Sequence, residues 1–274
     1  LVTGEALPGI DDPTYASKAL NSPVWSPDGT KIALAQDGIK IIELLTNEIR
    51  SITPNQYSPA PARIYAPLSW SPDGTRLAVS VAQASCASLG FVSAVGGDSL
   101  TLDALPQGNP VWIQDGTVLL VANPWADCAC KHDSGLYVVD PATGSSTVLM
   151  GGSVTTSAAS AFVGWPKIMP DGTLLYFYGE LPGPSCIADW PASTLLTMVV
   201  GVGDQWDLRM NLRQDIYLIG EALWSPDGSL AVIRNQTQEA LARFAPLWIL
   251  YSDGRPAVEL PVSGHSLRWG IAQP

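Results

Sequence analysis

An all-β fold of repeated four-stranded sheets is the fold class that this sequence predicts, and two observations predict it. The first is the phrase Trp-Ser-Pro-Asp-Gly, which occurs unaltered at residues 25–29, 70–74 and 224–228. The second is the short apolar run that follows each copy, such as Lys31–Ala35 or Arg76–Val81, which has the length and composition of a strand. Self-similarity at a period of about 40–50 residues is typical of propellers and related arrays. The sequence therefore predicts a β-propeller.

Each copy of the phrase predicts a tight turn between two strands. Proline sets φ for the first corner, aspartate accepts a hydrogen bond from the backbone two residues on, and glycine adopts the positive φ that leads into the next strand. Two eroded copies lie between the intact ones, at residues 112–116 and 167–172. We assign a structural turn role to Trp25, Asp28, Gly29, Trp70, Asp73, Gly74, Trp112, Asp115, Gly116, Asp171, Gly172, Trp224, Asp227 and Gly228.

The first repeat shows the plan of one blade. Its four strands are expected at Ser22–Trp25, Lys31–Gln36, Ile39–Leu45 and Ile49–Thr53. Third strands of the later repeats are expected at Gly90–Val95, Gly135–Asp140, Leu195–Val202 and Leu247–Tyr251. The turn glycines are separated by 45, 42, 56 and 56 residues. Because a four-stranded blade needs about 40–45 residues, the two longer steps contain insertions.

A sixth first strand, Ser266–Trp269, follows the fifth repeat. We therefore favour six blade positions, five complete repeats plus this terminal strand, and keep a five-bladed ring as the alternative. Residues 21–274 are expected to form a single β-propeller domain. Residues 1–20 are expected to be an N-terminal segment that supplies a closing strand or docks onto a neighbour, since an open sheet edge recruits another chain.

Composition narrows the classes of partner. The net charge is −11, with 14 Lys and Arg among 274 residues, which disfavours nucleic acid and anionic membranes as partners. No apolar stretch reaches the roughly 18 residues that a transmembrane helix needs. Because the chain begins at Leu1 without a visible signal peptide, we expect a processed or trimmed product.

Four cysteines follow the second strands of three successive repeats, which places them on one face of the predicted propeller. Two disulfides are expected, one joining a thiol of the Cys128/Cys130 pair to Cys86 and the other joining the second thiol to Cys186. Which thiol takes which partner stays open. Disulfides persist in oxidising compartments, so an extracellular, cell-surface or periplasmic location is expected. The rival, a metal site with His132, lacks the usual zinc spacing, and we assign no metal and no cofactor.

Groups that could catalyse a reaction are scarce. The chain has two histidines, His132 and His265, and neither has a plausible nucleophile near it in sequence for a Ser–His–acid triad. Among the expected first strands only Glu221 and Arg268 are ionisable, whereas a glycosidase needs two carboxyl groups. We expect these two residues to form an ion pair, and we assign no catalytic residue.

Insertions after the second strands would crowd the same face as the cysteines. They are expected at Ala82–Leu89, Asn123–Ser134, Gly179–Thr194 and Asn235–Pro246. They carry the candidate partner-binding residues Trp125, Trp190 and Phe244, since aromatic side chains on surface loops are favourable anchors for a protein partner. The alternative is that these aromatics pack among the loops themselves.

The repeats resemble those of TolB-like β-propellers, whose blades are marked by a Trp-Ser-Pro-Asp-Gly turn, over roughly Asn21 to Trp269. The resemblance implies a WD-like repeat fold and a periplasmic or extracellular role in binding proteins, and it carries over no catalytic residue. Similar repeats occur in the non-catalytic propellers of some serine peptidases. We expect a non-enzymatic, secreted protein-binding or scaffold module, which binds a protein partner or itself through the loop face or the N-terminal segment. The alternative is a propeller hydrolase or the propeller domain of a larger peptidase.

Overall fold

Twenty strands in five four-stranded antiparallel sheets make up the described part of the chain, and strands that are consecutive in sequence are neighbours in each sheet. We call the sheets blades 1 to 5 in chain order. The computed structural model describes residues 23–58, 62–83, 86–106, 108–113, 116, 118–123, 135–151, 160–169, 174–181, 197–202, 205–211, 219–235, 246–253 and 255–263.

The chain divides into two compact units, Leu1–Leu102 and Asp103–Pro274. The first unit holds blade 1, with β1 (Val24–Trp25), β2 (Lys31–Ala35), β3 (Gly38–Glu43) and β4 (Glu48–Pro54). It also holds most of blade 2, with β5 (Ile64–Trp70), β6 (Arg76–Gln83), β7 (Cys86–Ser93) and β8 (Leu100–Pro106).

The second unit holds the other three blades. Blade 3 contains β9 (Asn109–Ile113), β10 (Val118–Asn123), β11 (Gly135–Val139) and β12 (Ser146–Gly151). Blade 4 contains β13 (Ser160–Ile168), β14 (Leu174–Leu181), β15 (Thr197–Val202) and β16 (Gln205–Asn211). Blade 5 contains β17 (Ile219–Trp224), β18 (Leu230–Asn235), β19 (Pro246–Tyr251) and β20 (Val258–Ser263).

The predicted fold class, all-β with four-stranded antiparallel blades, is confirmed. The intact turns lie where the repeated phrase predicts them, between the first and second strands of blades 1, 2 and 5. The expected sixth strand Ser266–Trp269 and the N-terminal segment 1–20 lie outside the described residues. The choice between six and five blades therefore stays a prediction.

One predicted insertion is wrong. The sequence analysis places Ala82–Leu89 in a loop, but β6 continues to Gln83 and β7 begins at Cys86, with Ala82 paired with Ala87. This stretch is rich in alanine and serine, which lack the β-branched character of a typical strand. The strand forms because it continues a hairpin whose later residues Ser88 and Leu89 are buried. Packing overrides local propensity at this position.

Sheets pack face to face inside each unit. Side chains alternate between the two faces of a strand. In blades 1, 2 and 5, which keep the intact phrase, we call the face that carries the turn tryptophan the incoming face and the opposite side the onward face. In the first unit, the onward face of blade 1 and the incoming face of blade 2 share one core of Val24, Ala33, Ile39, Ile41, Ile52, Tyr65, Trp70, Leu77, Val79, Val81, Val92 and Ala94. In the second unit, blades 4 and 5 share a core of Trp165, Met169, Leu175, Phe177, Ala222, Trp224, Ala231, Ile233, Trp248, Leu250 and Ala257.

Equivalent turn glycines lie in different surroundings. Gly74 and Gly228 have positive φ values of 69° and 67°. A Cβ on Gly74 would meet nothing within 4 Å, whereas one on Gly228 would overlap the sulfur of Met169 from blade 4. Met169 lies in the eroded copy of the phrase, so the loss of the consensus there places a thioether against the next turn.

The two glycines should respond differently to substitution. We expect Gly74→Ala to lower the free energy of unfolding by about 1–2 kcal/mol, the cost of a left-handed backbone for a residue with a Cβ. Gly228→Ala should cost more, because the Met169 side chain must move as well. In urea denaturation, the cost of Gly228→Ala should be smaller in a Met169→Ala background. Equal costs for both glycines, or no coupling to Met169, would contradict this account.

Candidate functional site

Each intact turn is closed by hydrogen bonds around its aspartate. In blade 1, Asp28 Oδ1 accepts hydrogen bonds from Ser26 Oγ at 2.6 Å and from the Thr30 amide at 3.0 Å. The same two bonds are made at Asp73 in blade 2 and at Asp227 in blade 5. The repeated serine and aspartate are therefore used to hold the turn.

These hydrogen bonds lower the pKa of the turn carboxyl groups. The main cause is the hydroxyl of the turn serine, followed by the backbone amide two residues on, and together they lower the pKa of Asp28 to about 2. The pKa of Asp73 is lowered by the same two causes, and that of Asp227 is lowered to about 2. Because a general acid needs a pKa near the working pH, these carboxylates are unsuited to donating protons at neutral pH.

Acid should loosen the three turns over a defined range. Since the pKa of each aspartate is lower in the folded chain than its ordinary value of 3.8, the ionised form stabilises the fold. This contribution is complete above the unfolded-state pKa and is lost as pH falls from about 4 through about 2. The melting temperature should fall over that range, and less steeply in the variant with Asp28→Asn, Asp73→Asn and Asp227→Asn.

Asp98→Asn is the matched control, because Asp98 is an exposed aspartate of the turn between β7 and β8. The melting temperature of this control should fall with decreasing pH as that of the unmodified chain does. An equally steep fall in the triple variant would overturn the role assigned to the turn carboxylates.

Two of the turn tryptophans, Trp70 and Trp224, join neighbouring sheets. The indole Nε1–H of Trp70 donates to the backbone carbonyl of Val24 in blade 1 at 3.0 Å. The indole of Trp224 donates to the carbonyl of Trp165 in blade 4 at 2.7 Å, and its ring stacks on Phe177 with centroids 5.0 Å apart. Each of these two tryptophans therefore contributes a buried ring and a directed hydrogen bond to the same contact between successive sheets, which we call the seam.

Each tryptophan begins an apolar row that crosses its sheet on the incoming face. In blade 2 the cross-strand register places Trp70 beside Leu77 and Leu77 beside Val92. In blade 5 it places Trp224 beside Ala231 and Ala231 beside Leu250. All six side chains are at most 6 % exposed. In both blades the preceding sheet covers the row.

Blade 1 has the same row on its incoming face, and there the row is exposed. Trp25 pairs with Ile32, Ile32 with Ile42, and Ile42 with Ile49, so the row spans all four strands. Trp25 is 58 % exposed and Ile49 is 50 % exposed, and the two residues between them are partly exposed. We call this surface the open face. It is the candidate functional site.

Trp70 and Trp25 form a matched pair that tests the value of the seam. Trp70→Ala should lower the free energy of unfolding by about 3–5 kcal/mol, because it removes a large buried side chain. Trp70→Phe keeps an aromatic ring but loses the hydrogen bond to Val24, which should cost about 1 kcal/mol. Trp25→Ala, in the identical pentapeptide, should cost less than about 1 kcal/mol because its side chain is exposed. Equal losses of unfolding free energy for Trp70→Ala and Trp25→Ala in urea denaturation would contradict the difference in burial between these two side chains.

The structure places the other predicted residues as follows. Trp112 lies in β9, one residue before its end, and Gly116 has a φ of 90°. Cys86 is disulfide-bonded, and its partner lies outside the described residues, so the pairing stays a prediction. The predicted residues that also lie outside the described part are Asp115, Asp171, Gly172, Trp125, Trp190, Phe244, Cys128, Cys130, Cys186 and His132.

The sequence analysis missed one charged neighbour of Glu221. The register of β17 and β18 pairs Glu221 with Arg234, whereas the expected partner Arg268 lies outside the described residues. Counting outward from the turn along both strands of the hairpin would have found this pair. Among the residues that the structure describes, no group of three or more His, Cys, Asp or Glu side chains is arranged to hold a metal ion. The same residues include no helix that is long and apolar enough to cross a membrane.

Comparison with solved structures agrees with the fold. A protein described as a TolB from Agrobacterium tumefaciens is 17% identical, with a TM-score of 0.54 over 86% of this chain and 78% of that one. An oligogalacturonate lyase in complex with manganese is 16% identical, with a TM-score of 0.56 over 91% and 66%. The Dos1 propeller is 12% identical, with a TM-score of 0.54 over 88% and 61%. No protein-family model matches, and neither does any curated protein. The chain is a β-propeller whose structural relatives include TolB-like proteins and enzymes.

Proposed function

We propose that this chain is a non-enzymatic β-propeller that works outside the cytoplasm as a protein-binding and assembly module. The open face of blade 1 carries the proposal. Isolated apolar residues on a surface are ordinary, but a contiguous exposed patch is typical of an interaction site. The row of four apolar side chains on the open face is such a patch, and it includes a tryptophan, a residue enriched among the residues that dominate binding energy.

The geometry of the open face suits a protein partner. The row is built on four paired strands, so a partner meets a surface that is already ordered and costs little to arrange. The equivalent rows of blades 2 and 5 are each covered by another sheet. The occupant expected from this precedent is therefore protein.

The proposed location depends on two observations. Cys86 is disulfide-bonded, and disulfides persist in oxidising compartments. The similarity to a TolB protein agrees with a periplasmic or extracellular setting. The proposal also includes the expected second disulfide and a second partner site at Trp125, Trp190 and Phe244, on the loops that follow the second strands.

The open face should bind an apolar fluorescent probe in solution. At nanomolar chain concentration, the dye 1-anilinonaphthalene-8-sulfonate should fluoresce with the unmodified chain, and Trp25→Lys should remove most of that signal. Leu45→Lys is the matched control, because Leu45 is also an exposed apolar residue of blade 1 but lies in a turn. The control should leave the signal unchanged. No dye binding, or equal effects of both variants, would overturn the open face as an accessible site.

The alternative, a propeller enzyme, can be tested with the chemistry named by one structural relative. The chain should be incubated with Mn²⁺ and oligogalacturonates, and the release of unsaturated sugars followed by ultraviolet absorbance. We expect no turnover. Sustained turnover that scales with the amount of the chain would replace the binding proposal with an enzymatic one.

A further inference from the structure

The outer edge of blade 3 differs from the outer edges of the other blades. Among the described residues, the fourth strand of each blade ends its sheet and pairs with the third strand alone. An edge strand presents N–H and C=O groups that can pair with another chain, and proteins commonly place charged residues there to prevent this. The outer strands β4, β8, β16 and β20 follow that rule with Glu48, Arg50, Asp103, Asp207, Arg209 and Glu259.

The outer strand of blade 3, β12, has no such protection. Its sequence from Ser146 to Gly151 is Ser-Thr-Val-Leu-Met-Gly, with neither a charged residue nor a proline. Val148 is 58 % exposed and Leu149 is 44 % exposed, and Ser146 and Thr147 are exposed as well. A segment of about six residues with low charge and no proline is typical of strands that associate with copies of themselves.

A bulge does not explain the difference. The register of β11 and β12 shifts so that Leu149 has no partner between Val148 and Met150. The outer strands of blades 1, 4 and 5 have a register shift too, and they carry charges in addition. Packing between blades does not involve this edge either, because successive blades cover one another by their faces. The absence of charge therefore distinguishes β12.

We propose that β12 pairs with β12 of a second copy of this chain. The two strands run antiparallel and join two four-stranded sheets into one continuous sheet. Like charges that face each other across two strands are destabilising, and an uncharged strand that meets itself brings none together. The chain has a net charge of −11, so two copies repel each other, and an uncharged edge is where they meet at least cost. A partner recognised by its charge would find no complementary group on this strand.

Such a contact is closed by two-fold symmetry. Val148 lies beside the middle of β12, so in an antiparallel pair it meets the same strand position, or the next one, of the other copy. Each copy uses the same edge, and assembly therefore stops at two chains. The contact includes no residue of the open face. It goes beyond the proposed function and does not depend on it.

The experiment places a charge at the centre of the proposed contact in the full chain. Val148→Lys and Val148→Glu each bring two like charges together at the two-fold axis. Val262→Lys is the matched control, because Val262 is a 54 % exposed valine of β20, an outer strand that already contains Glu259 and Pro261. Circular dichroism and melting temperature verify that each variant folds.

Sedimentation velocity at low salt, where charges are little screened, measures the assembly from about 1 μM to about 100 μM, a range that covers weak and moderate affinities. The unmodified chain and the control should increase from one copy to two and no further. Each Val148 variant alone should stay monomeric, with the dissociation constant raised more than about tenfold. Mixing Val148→Lys with Val148→Glu should restore dimers, because opposite charges then meet at the axis.

Hydrogen exchange locates the contact. The amides of β12 should exchange more slowly as the concentration of the unmodified chain rises. Dimers that survive both Val148 substitutions, a mixture that stays monomeric, or assembly past two copies would overturn the proposal. Slow exchange of these amides in a monomeric chain would also overturn it, because the chain's own residues would then cover the edge.

The outcomes separate this inference from the proposed function. Association that is lost in Trp25→Lys and kept in Val148→Lys overturns pairing through β12 and supports assembly through the open face. Dimers that Val148→Lys abolishes support pairing through β12, even where the open face binds no dye. An unmodified chain that is monomeric at about 100 μM overturns this inference and leaves the dye test of the open face unaffected.

Discussion

The structure depends on the seam between successive sheets. A four-stranded sheet has two faces and no interior, so each blade is stable only when another layer covers its apolar rows. In the first unit Trp70 provides both packing and a hydrogen bond between the two sheets. Its ring fills the shared core, and its indole donates to the carbonyl of Val24. Trp224 makes the equivalent bond to Trp165 in the second unit. Stability in such a chain comes mainly from contacts between adjacent repeats, and the seam is where those contacts lie.

Local chemistry explains why much of the fold could be predicted. The pentapeptide sets the turn by itself, because its serine, aspartate and glycine satisfy one another within a few residues. It also ends the first strand, and the strand that follows is recognised by its apolar residues. Blade 4 shows the limit of this logic. There the consensus is eroded, a register shift falls between Gly164 and Lys167, and Trp165 adopts a φ of 49°. That backbone is supported by packing and by the bond from Trp224, which no local pattern encodes.

The candidate site could not be predicted from the same pattern. Residues 25–29 and 70–74 have identical sequences, yet the first tryptophan is exposed and the second is buried. Whether a row is covered depends on the neighbouring sheet, which is a property of the tertiary structure and not of the pentapeptide. The sequence analysis therefore assigned Trp25 a turn role and looked for the partner site among aromatic loops. The cross-strand register revealed the row, because it aligned Trp25 with three isoleucines from separate strands.

The two faces of blade 1 differ in what covers them. On the onward face, Val24, Ala33, Ile39, Ile41 and Ile52 belong to the core shared with blade 2, and beside that core Glu43 lies 3.7 Å from Lys31 and 3.6 Å from Arg50. The ion pairs therefore border a face that already has a neighbour. On the open face the row of Trp25, Ile32, Ile42 and Ile49 is apolar, and Lys40, two residues before Ile42 in β3, lies on the same face. The comparison that favours an occupant for the open face is with the equivalent rows of blades 2 and 5, because another sheet covers each of those rows.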